Sequence, residues 1–156
     1  MTAIEIPRAI LRDEKDLPFV PLGDGTDLQL LQVDVDAGLW VVRTRWEPGV
    51  TVPTHKHTGP VYAFTLAGSW KYLEYPEDLN VAGSYLFEPA GSVHTLHVPE
   101  SNTETTDAVF VIHGANLNLD EAGNVTSVVD AGTIRDFYLA ACEAQGLGRP
   151  PVIGLD

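Results

Sequence analysis

Short β-rich runs separated by glycine and proline turns recur along most of this sequence, and they limit the folds that it can adopt. The runs occupy residues 28–35, 39–46, 61–75, 81–89, 92–98, 108–113 and 124–129. The 11 prolines and 14 glycines of the 156-residue chain supply the turns between them. Because the strands do not alternate with helices, a doubly wound α/β fold is disfavoured. The spacing is typical of an all-β sandwich or barrel.

The chain has the length of one domain with a single hydrophobic core. We expect an N-terminal arm over residues 1–27, a barrel over residues 28–130, and a C-terminal helix and tail over residues 131–156. The helix is predicted from the 3.6-residue spacing of its apolar side chains. Its cap is predicted at Thr133 and its end at Gly146.

The formal charge of −13 limits the partners that the chain can have. An acidic surface repels phosphate backbones and anionic lipids, which argues against nucleic-acid and membrane binding. No apolar run approaches the roughly 20 residues that span a bilayer, and no leader sequence is recognisable. Cys142, the single cysteine, cannot form an intramolecular disulfide. The sequence therefore predicts a soluble cytoplasmic protein, with Cys142 packed as a small apolar residue in the helix.

Three of the five histidines are spaced in a way that favours a metal site. His55 and His57 stand at i and i+2, so their side chains share one face if this stretch is a strand. Neutral imidazole is a good ligand for zinc, iron, nickel and copper. His94 follows a Pro-Ala-Gly turn that would bring it to the rim of the same cavity. The sequence therefore predicts one divalent metal ion held by His55, His57 and His94.

The same residues resemble the two conserved motifs of the cupin family. The first motif reads G-x5-H-x-H-x3,4-E-x6-G, and the second reads G-x5-P-x-G-x2-H-x3-N. The matching positions are Gly49, His55, His57, Gly68, Gly83, Pro89, Gly91 and His94. This resemblance covers residues 49–98, about a third of the chain. It implies a cupin barrel, which is a double-stranded β-helix of the jelly-roll type, here with a C-terminal helix.

Two positions depart from the cupin motifs. The glutamate position of the first motif holds Val61, and the asparagine position of the second holds Val98. The fourth ligand that the family usually provides, a carboxylate, is therefore missing. Three imidazoles leave coordination positions open for a substrate or O2. The alternative interpretation is a decayed site that no longer binds metal.

Several other residues are candidates for the surroundings of the ion. Glu88, six residues before the third histidine, could accept a hydrogen bond from the free N–H of a ligand imidazole. The alternative for Glu88 is a solvated turn acid. Tyr62 and His113 are candidates for substrate contact, although His113 could instead cap a strand end. Trp46 and Phe64 are candidates for aromatic pocket walls, and His97 is expected on the opposite face of its strand.

Two groups of cupin enzymes share further features with this chain. The stretch from His55 to Pro60 and the spacing of Glu88, Gly91 and His94 resemble the β-diketone dioxygenases that cleave acetylacetone. Residues 62–74 and the C-terminal helix look like the 2,4′-dihydroxyacetophenone dioxygenases. Both resemblances imply a mononuclear non-haem Fe(II) site that uses O2 to cleave a C–C bond beside the carbonyl of a small-molecule substrate.

Other functions and ions are compatible with the same residues. Zinc, nickel, manganese and copper are alternatives to Fe(II), because three imidazoles accept several first-row ions. A zinc-binding cupin could act as a sensor or regulatory module, and a metal-dependent isomerase or lyase would need no redox change. Exposed β-sheet edges and an apolar helix face favour a homo-oligomer, either a dimer or a tetramer.

Overall fold

The computed structural model of the protein describes residues 4–155 and consists mainly of β-strands. The strands are β1 (Val20–Pro21), β2 (Thr26–Asp34), β3 (Leu39–Trp46), β4 (Thr51–His57), β5 (Val61–Ala67), β6 (Ser69–Tyr72), β7 (Asn80–Val81), β8 (Tyr85–Glu88), β9 (Val93–His97), β10 (Thr106–His113), β11 (Asn116–Leu119) and β12 (Val125–Val129). One α-helix, α1 (Ala131–Ala144), follows the last strand. The prediction of an all-β fold with a C-terminal helix is confirmed.

The strands form two six-stranded antiparallel sheets. The first sheet has the order β1-β2-β3-β10-β5-β8, and the second has the order β12-β11-β4-β9-β6-β7. Strands far apart in sequence, such as β3 and β10, are neighbours, so the chain wraps around a shared interior. The first sheet starts at β1, inside the predicted N-terminal arm, and β2 starts at Thr26 rather than at residue 28.

The core lies between the two sheets because alternate residues of each strand point inward. In β3, Trp40, Val42, Thr44 and Trp46 are buried while the alternate residues are only partly so. The Trp46 ring lies 5.9 Å from that of Phe110 in β10 and 6.2 Å from that of Trp70 in β6. This aromatic cluster joins the two sheets, and the burial of such rings stabilises the barrel.

The backbone conformation of β4 determines whether the side chains of His55 and His57 lie on the same face. The stretch is extended and is hydrogen-bonded to β11 on one side and to β9 on the other. At its carboxyl end His55 and His57 are buried, whereas Lys56 between them is exposed. The two imidazoles therefore share the inner face of the strand, as the i, i+2 spacing predicts.

An aromatic outer face covers the edge of the first sheet, and we define it by Tyr62 and Phe64 of β5 with Tyr85 and Phe87 of β8. The rings pair across the ladder, with centroids 5.6 Å apart for Tyr62 and Phe87 and 5.2 Å apart for Phe64 and Tyr85. Phe64, Tyr85 and Phe87 are 46%, 58% and 52% exposed, which is high for aromatic side chains. The face lies on an edge because β8 is the last strand of its sheet.

Helix α1 begins earlier than the sequence indicated. Asp130 caps the helix, since its carboxylate accepts a hydrogen bond of 2.9 Å from the Thr133 backbone N–H. The Thr133 hydroxyl accepts one of 2.8 Å from the Asp130 N–H, which completes a reciprocal capping box. The prediction of Thr133 as the cap is therefore wrong. Thr133 occupies the third helical position and supports a cap three residues before it.

Helix α1 and the segment that follows it are attached to the barrel by specific contacts. The Tyr138 hydroxyl of α1 donates a hydrogen bond of 2.5 Å to the Pro18 carbonyl. Near the C-terminus, Ile153 pairs with Gln32 as an isolated parallel bridge. Cys142 is fully buried on the inner face of α1, in agreement with its interpretation as a packing residue. Within residues 4–155, no helix has the length and hydropathy needed to cross a membrane.

Candidate metal centre

Three buried imidazoles meet inside the barrel. His55 and His57 come from β4, and His94 comes from β9 directly opposite His55 in the ladder. The ring centroids are 4.8–4.9 Å apart in all three pairs. One ring nitrogen from each histidine lies within 4.8 Å of the others, a spacing that could hold a metal ion. The structure thus brings together histidines of both motifs, although His57 and His94 are separated by 37 residues in the sequence.

Two of the rings are held by well-defined contacts. His55 Nδ1 lies 2.9 Å from the Pro53 carbonyl oxygen. A carbonyl can only accept, so Nδ1 carries the proton and Nε2 keeps its lone pair for a ligand. His94 stacks on Tyr72 of β6, with centroids 3.8 Å apart and planes inclined by 15°. These contacts limit rotation of both rings, which prepares them to act as ligands.

The electrostatics of the site keep the histidines neutral. Burial lowers the pKa of His57 to about 4 and that of His94 to about 3, and the neighbouring imidazoles lower both further. Burial also lowers the pKa of His55. A metal binds the deprotonated ring, so these shifts mean that no proton has to be removed from the site at neutral pH.

Glu88 lies next to these imidazoles. Its Oε2 is 3.2 Å from His57 Nε2 and its Oε1 is 3.7 Å from His94 Nε2. The Tyr72 hydroxyl donates a hydrogen bond to Oε1. Burial raises the pKa of Glu88 to about 7, although the bond from Tyr72 opposes the shift. Glu88 is only 3% exposed, so the alternative of a solvated turn acid is wrong.

A divalent cation fits this arrangement. His94 Nε2 and Glu88 Oε2 are buried without a hydrogen-bond partner, and such orphaned polar atoms are costly unless something binds them. Neutral imidazole nitrogens with a nearby carboxylate are a usual environment for zinc and iron. An ion held by His55, His57 and His94 would satisfy His94 Nε2, and its charge would stabilise the buried Glu88 carboxylate.

A cavity of about 600 Å³ opens beside the histidines, within the range of small-molecule sites. His55, His57 and Tyr72 form part of one wall. Trp46 lines the cavity as the sequence expected, and Phe110 lies next to it. Strands β11 and β12 and the first turns of α1 border the opening. Among residues 4–155, no lysine or arginine lines this cavity.

Three predicted pocket residues lie elsewhere. Tyr62 and Phe64 belong to the aromatic outer face, because Val61 and Ala63 take the inward positions of β5. His113, whose ring centroid is 6.1 Å from that of Tyr62, lies on the same outer side at the end of β10. The expectation that these three side chains line the cavity is therefore wrong. The sequence located the strands but not which alternate set of residues faces inward.

The sequence analysis missed two polar cavity residues, Asn116 and Asn118. They stand at i and i+2 on β11, facing His57 and His55 across the ladder. The sequence pattern that could have identified them is the alternation Asn-Leu-Asn-Leu, which precedes a turn and another β-rich run. It was missed because four residues are too short a run to identify a strand on their own. Tyr72, which stacks on His94, was likewise not among the site residues predicted from the sequence.

Comparisons with known proteins agree with this architecture. A family model described as the ChrR cupin-like domain matches residues 7–116. A protein of unknown function with a cupin-like fold, from Ralstonia eutropha JMP134, is 36% identical over 92% of this chain and 91% of its own, with a TM-score of 0.86. An RmlC-like cupin protein of the same organism is 26% identical over 96% of each chain, with a TM-score of 0.88.

An enzyme of known activity has the same fold. The acetylacetone dioxygenase of Acinetobacter johnsonii is 18% identical over 90% of this chain and 97% of its own, with a TM-score of 0.74. At that identity the likeness concerns the fold alone. No functionally curated protein matches this chain in sequence.

Proposed function

The chain belongs to the ChrR cupin-like domain family, and on that premise we propose that it is a mononuclear non-haem Fe(II) dioxygenase. Its substrate would be a small diketone or a hydroxyacetophenone-like ketone, cleaved at the C–C bond beside the carbonyl group. The cupin barrel predicted from the two motifs is confirmed by the family model and the structural neighbours. The observation that carries the proposal is the meeting of three neutral imidazoles at the wall of a largely apolar cavity.

The ligand set suits this chemistry. When bound, Fe(II) would supply Lewis acidity toward the carbonyl oxygens and reactivity toward O2. Three neutral imidazoles do not compensate the charge of a divalent ion, which favours substrates that bind as enolates. In the overall reaction both atoms of O2 enter the products, one in each fragment, so no external reductant is required.

The walls of the cavity favour an uncharged substrate. Trp40, Trp46 and Phe110 supply an apolar surface that excludes water from the reacting groups. A substrate carboxylate or phosphate would find no lysine or arginine on the described walls, and its desolvation would be costly. These features support a neutral ketone rather than an organic acid.

Glu88 reaches the site from β8, in the sheet opposite the one that carries the histidines. Its two oxygens face Nε2 of His57 and of His94, the nitrogens that would bind the ion, so the carboxylate lies on the metal side of both rings. Its raised pKa of about 7 lets Oε2, which has no partner, gain or lose a proton near neutral pH. We propose that Glu88 places a carboxylate next to the ion, instead of accepting the hydrogen bond from a free imidazole N–H that the sequence predicted.

A second function is favoured by the family itself. The matching family model is named for ChrR, and three histidines also suit zinc. In this alternative the domain holds zinc without turnover and regulates another protein.

Metal analysis coupled to oxygen uptake tests the proposal. Protein produced in iron-supplemented medium would be analysed for bound metals, then supplied with acetylacetone or 2,4′-dihydroxyacetophenone in an oxygen electrode. Iron together with substrate-dependent O2 uptake would support the dioxygenase. Bound zinc without turnover would support the regulatory module, and turnover without O2 uptake would indicate an isomerase or lyase.

The predicted homo-oligomer has a candidate contact surface. The aromatic outer face is uncharged and lies on a sheet edge, whereas the protein carries a formal charge of −13. Two copies would repel each other least where such an uncharged apolar face meets its equivalent. We propose that this face joins the subunits of a homodimer. Cytoplasmic location stays a prediction.

A further inference from the structure

Asn116 lies directly opposite His57 in the ladder between β11 and β4. Both side chains line the cavity. Two of their polar atoms, Asn116 Oδ1 and His57 Nδ1, are buried and have no hydrogen-bond partner. The two residues thus present one unpaired acceptor and one unpaired ring nitrogen from paired positions of adjacent strands.

The chemistry of the two atoms matches. An amide oxygen can only accept, and a neutral imidazole donates from whichever nitrogen carries the proton. A buried acceptor and a buried donor that are both unpaired are unfavourable, and a small rotation of the Asn116 amide would pair them. The pair would then place the His57 proton on Nδ1 and leave the lone pair on Nε2, the nitrogen that faces Glu88.

His55 shows the same arrangement with a different acceptor. Its Nδ1 meets the Pro53 carbonyl at 2.9 Å, which leaves Nε2 for a ligand. The two histidines of β4 would therefore present the same nitrogen to the site, one fixed by the backbone and the other by a side chain. Such acceptors fix the tautomer and the ring orientation of a ligand histidine.

We propose that Asn116 is a positioning residue that accepts a hydrogen bond from His57 Nδ1–H and thereby directs Nε2 toward a metal ion. This inference rests on the metal site of the proposed function. Asn116 touches neither substrate nor ion in this role and acts through His57. Loss of such an acceptor typically lowers metal affinity by about 10- to 100-fold.

Asn118 provides a matched control. It lies two residues along β11, lines the same cavity and stands opposite His55. Its amide nitrogen, however, donates a hydrogen bond of 2.9 Å to the Ser127 hydroxyl. Since His55 is already held by Pro53, replacing Asn118 should leave the metal ligands in place.

The first test is zinc affinity, measured by competition with a chromophoric chelator on the full chain. We expect Asn116→Leu to weaken zinc binding by about 10- to 100-fold, whereas Asn116→Asp, which keeps an acceptor oxygen, retains it. Asn118→Leu should stay within about threefold of the unmodified protein. Thermal unfolding of the metal-free variants monitors folding, and Asn116→Ser replaces Asn116→Leu if the latter does not fold. Unchanged affinity in the Asn116 variant, or an equal loss in Asn118→Leu, would overturn the proposal.

The second test needs no metal. Nitrogen-15 NMR of histidine-labelled, metal-free protein reports which ring nitrogen of His57 carries the proton. We expect the Nδ1–H tautomer in the unmodified protein and in Asn118→Leu, and a mixture of tautomers in Asn116→Leu. An Nε2–H tautomer in the unmodified protein would refute the role of Asn116. If the tautomer is as expected but no metal binds, the metal-dependent function fails while the Asn116 contact stands.

Discussion

Glu88 lies directly opposite Val61 in the ladder between β5 and β8. Val61 occupies the position where the cupin motif has its glutamate, so the carboxylate missing from β5 has a counterpart on the adjacent strand. From β8 it reaches Nε2 of His57 and of His94 and receives a hydrogen bond from Tyr72. The departure from the motif therefore does not leave the site without a carboxylate.

Removing the charge of Glu88 should lower the affinity for the metal ion without abolishing binding. We expect Glu88→Gln, which keeps the size of the side chain, to lower metal affinity by about 10- to 100-fold, as loss of a residue that supports the ligands usually does. Chelator competition measures the effect. Glu74→Gln serves as the control, because Glu74 binds Thr95 on β9 instead of an imidazole. Equal affinity of Glu88→Gln and the unmodified protein would contradict the assignment of Glu88.

Removing a ligand histidine should reduce metal binding more than the Glu88→Gln substitution does. We expect His94→Ala to abolish metal retention, because two imidazoles on one strand cannot enclose an ion. The matched control is His97→Ala, three residues along the chain, where the ring contacts the Thr51 hydroxyl at 2.8 Å on the outer side of the sheet. Metal content after gel filtration decides the matter. Retention of a full complement by His94→Ala would remove this histidine from the ligand set.

Acid should destabilise the metal-free protein through its buried histidines. The folded-state pKa values of about 4 for His57 and about 3 for His94 lie below the ordinary value of 6.5. At pH values between 6.5 and these folded-state pKa values, the unfolded chain binds more protons than the folded chain does. The free energy of unfolding therefore falls as the pH falls from 6.5. Glu88 acts in the opposite sense, because its pKa is raised from 4.5 to about 7 and the folded chain holds its proton in that window.

Two variants distinguish the contribution of the buried histidines to the pH dependence of stability from that of Glu88. Their free energies of unfolding would be measured in urea at several pH values between 5 and 7. We expect His94→Gln to reduce the dependence of stability on pH, since one acid-sensitive group is removed. Glu88→Gln should make the dependence steeper, since the opposing group is removed. Parallel pH profiles for both variants and the unmodified protein would rule out this account of the titration.

A charge on the aromatic outer face should dissociate the proposed homodimer. We expect Phe87→Glu to shift the protein toward monomer in light scattering coupled to gel filtration, because each copy would bury an unpaired carboxylate in the symmetric contact. Leu79→Glu is the control, as Leu79 is similarly exposed at 48% but lies outside this face. A monomeric unmodified protein, or a dimer unaffected by Phe87→Glu, would show that the face is not the subunit contact.

The sequence by itself determined the barrel and the three histidines. Glycine and proline fix where strands turn, and the i, i+2 spacing of His55 and His57 fixes their common face, because both are local properties of the backbone. The turn before His94 is likewise local. These features could be identified before any contact between distant segments was known.

Only the tertiary structure decided what surrounds the histidines. Whether Tyr62 or Val61 faces inward depends on how β5 pairs with β8 and β10, and a shift of one residue would exchange the two faces. Glu88 was expected next to a ligand imidazole, but the position of Asn116 opposite His57 depends on the pairing of segments distant along the chain. Strand pairing is set by the burial of the whole core, so the inward-facing residues of β5 and the position of Asn116 were not readable from the residues near the motifs.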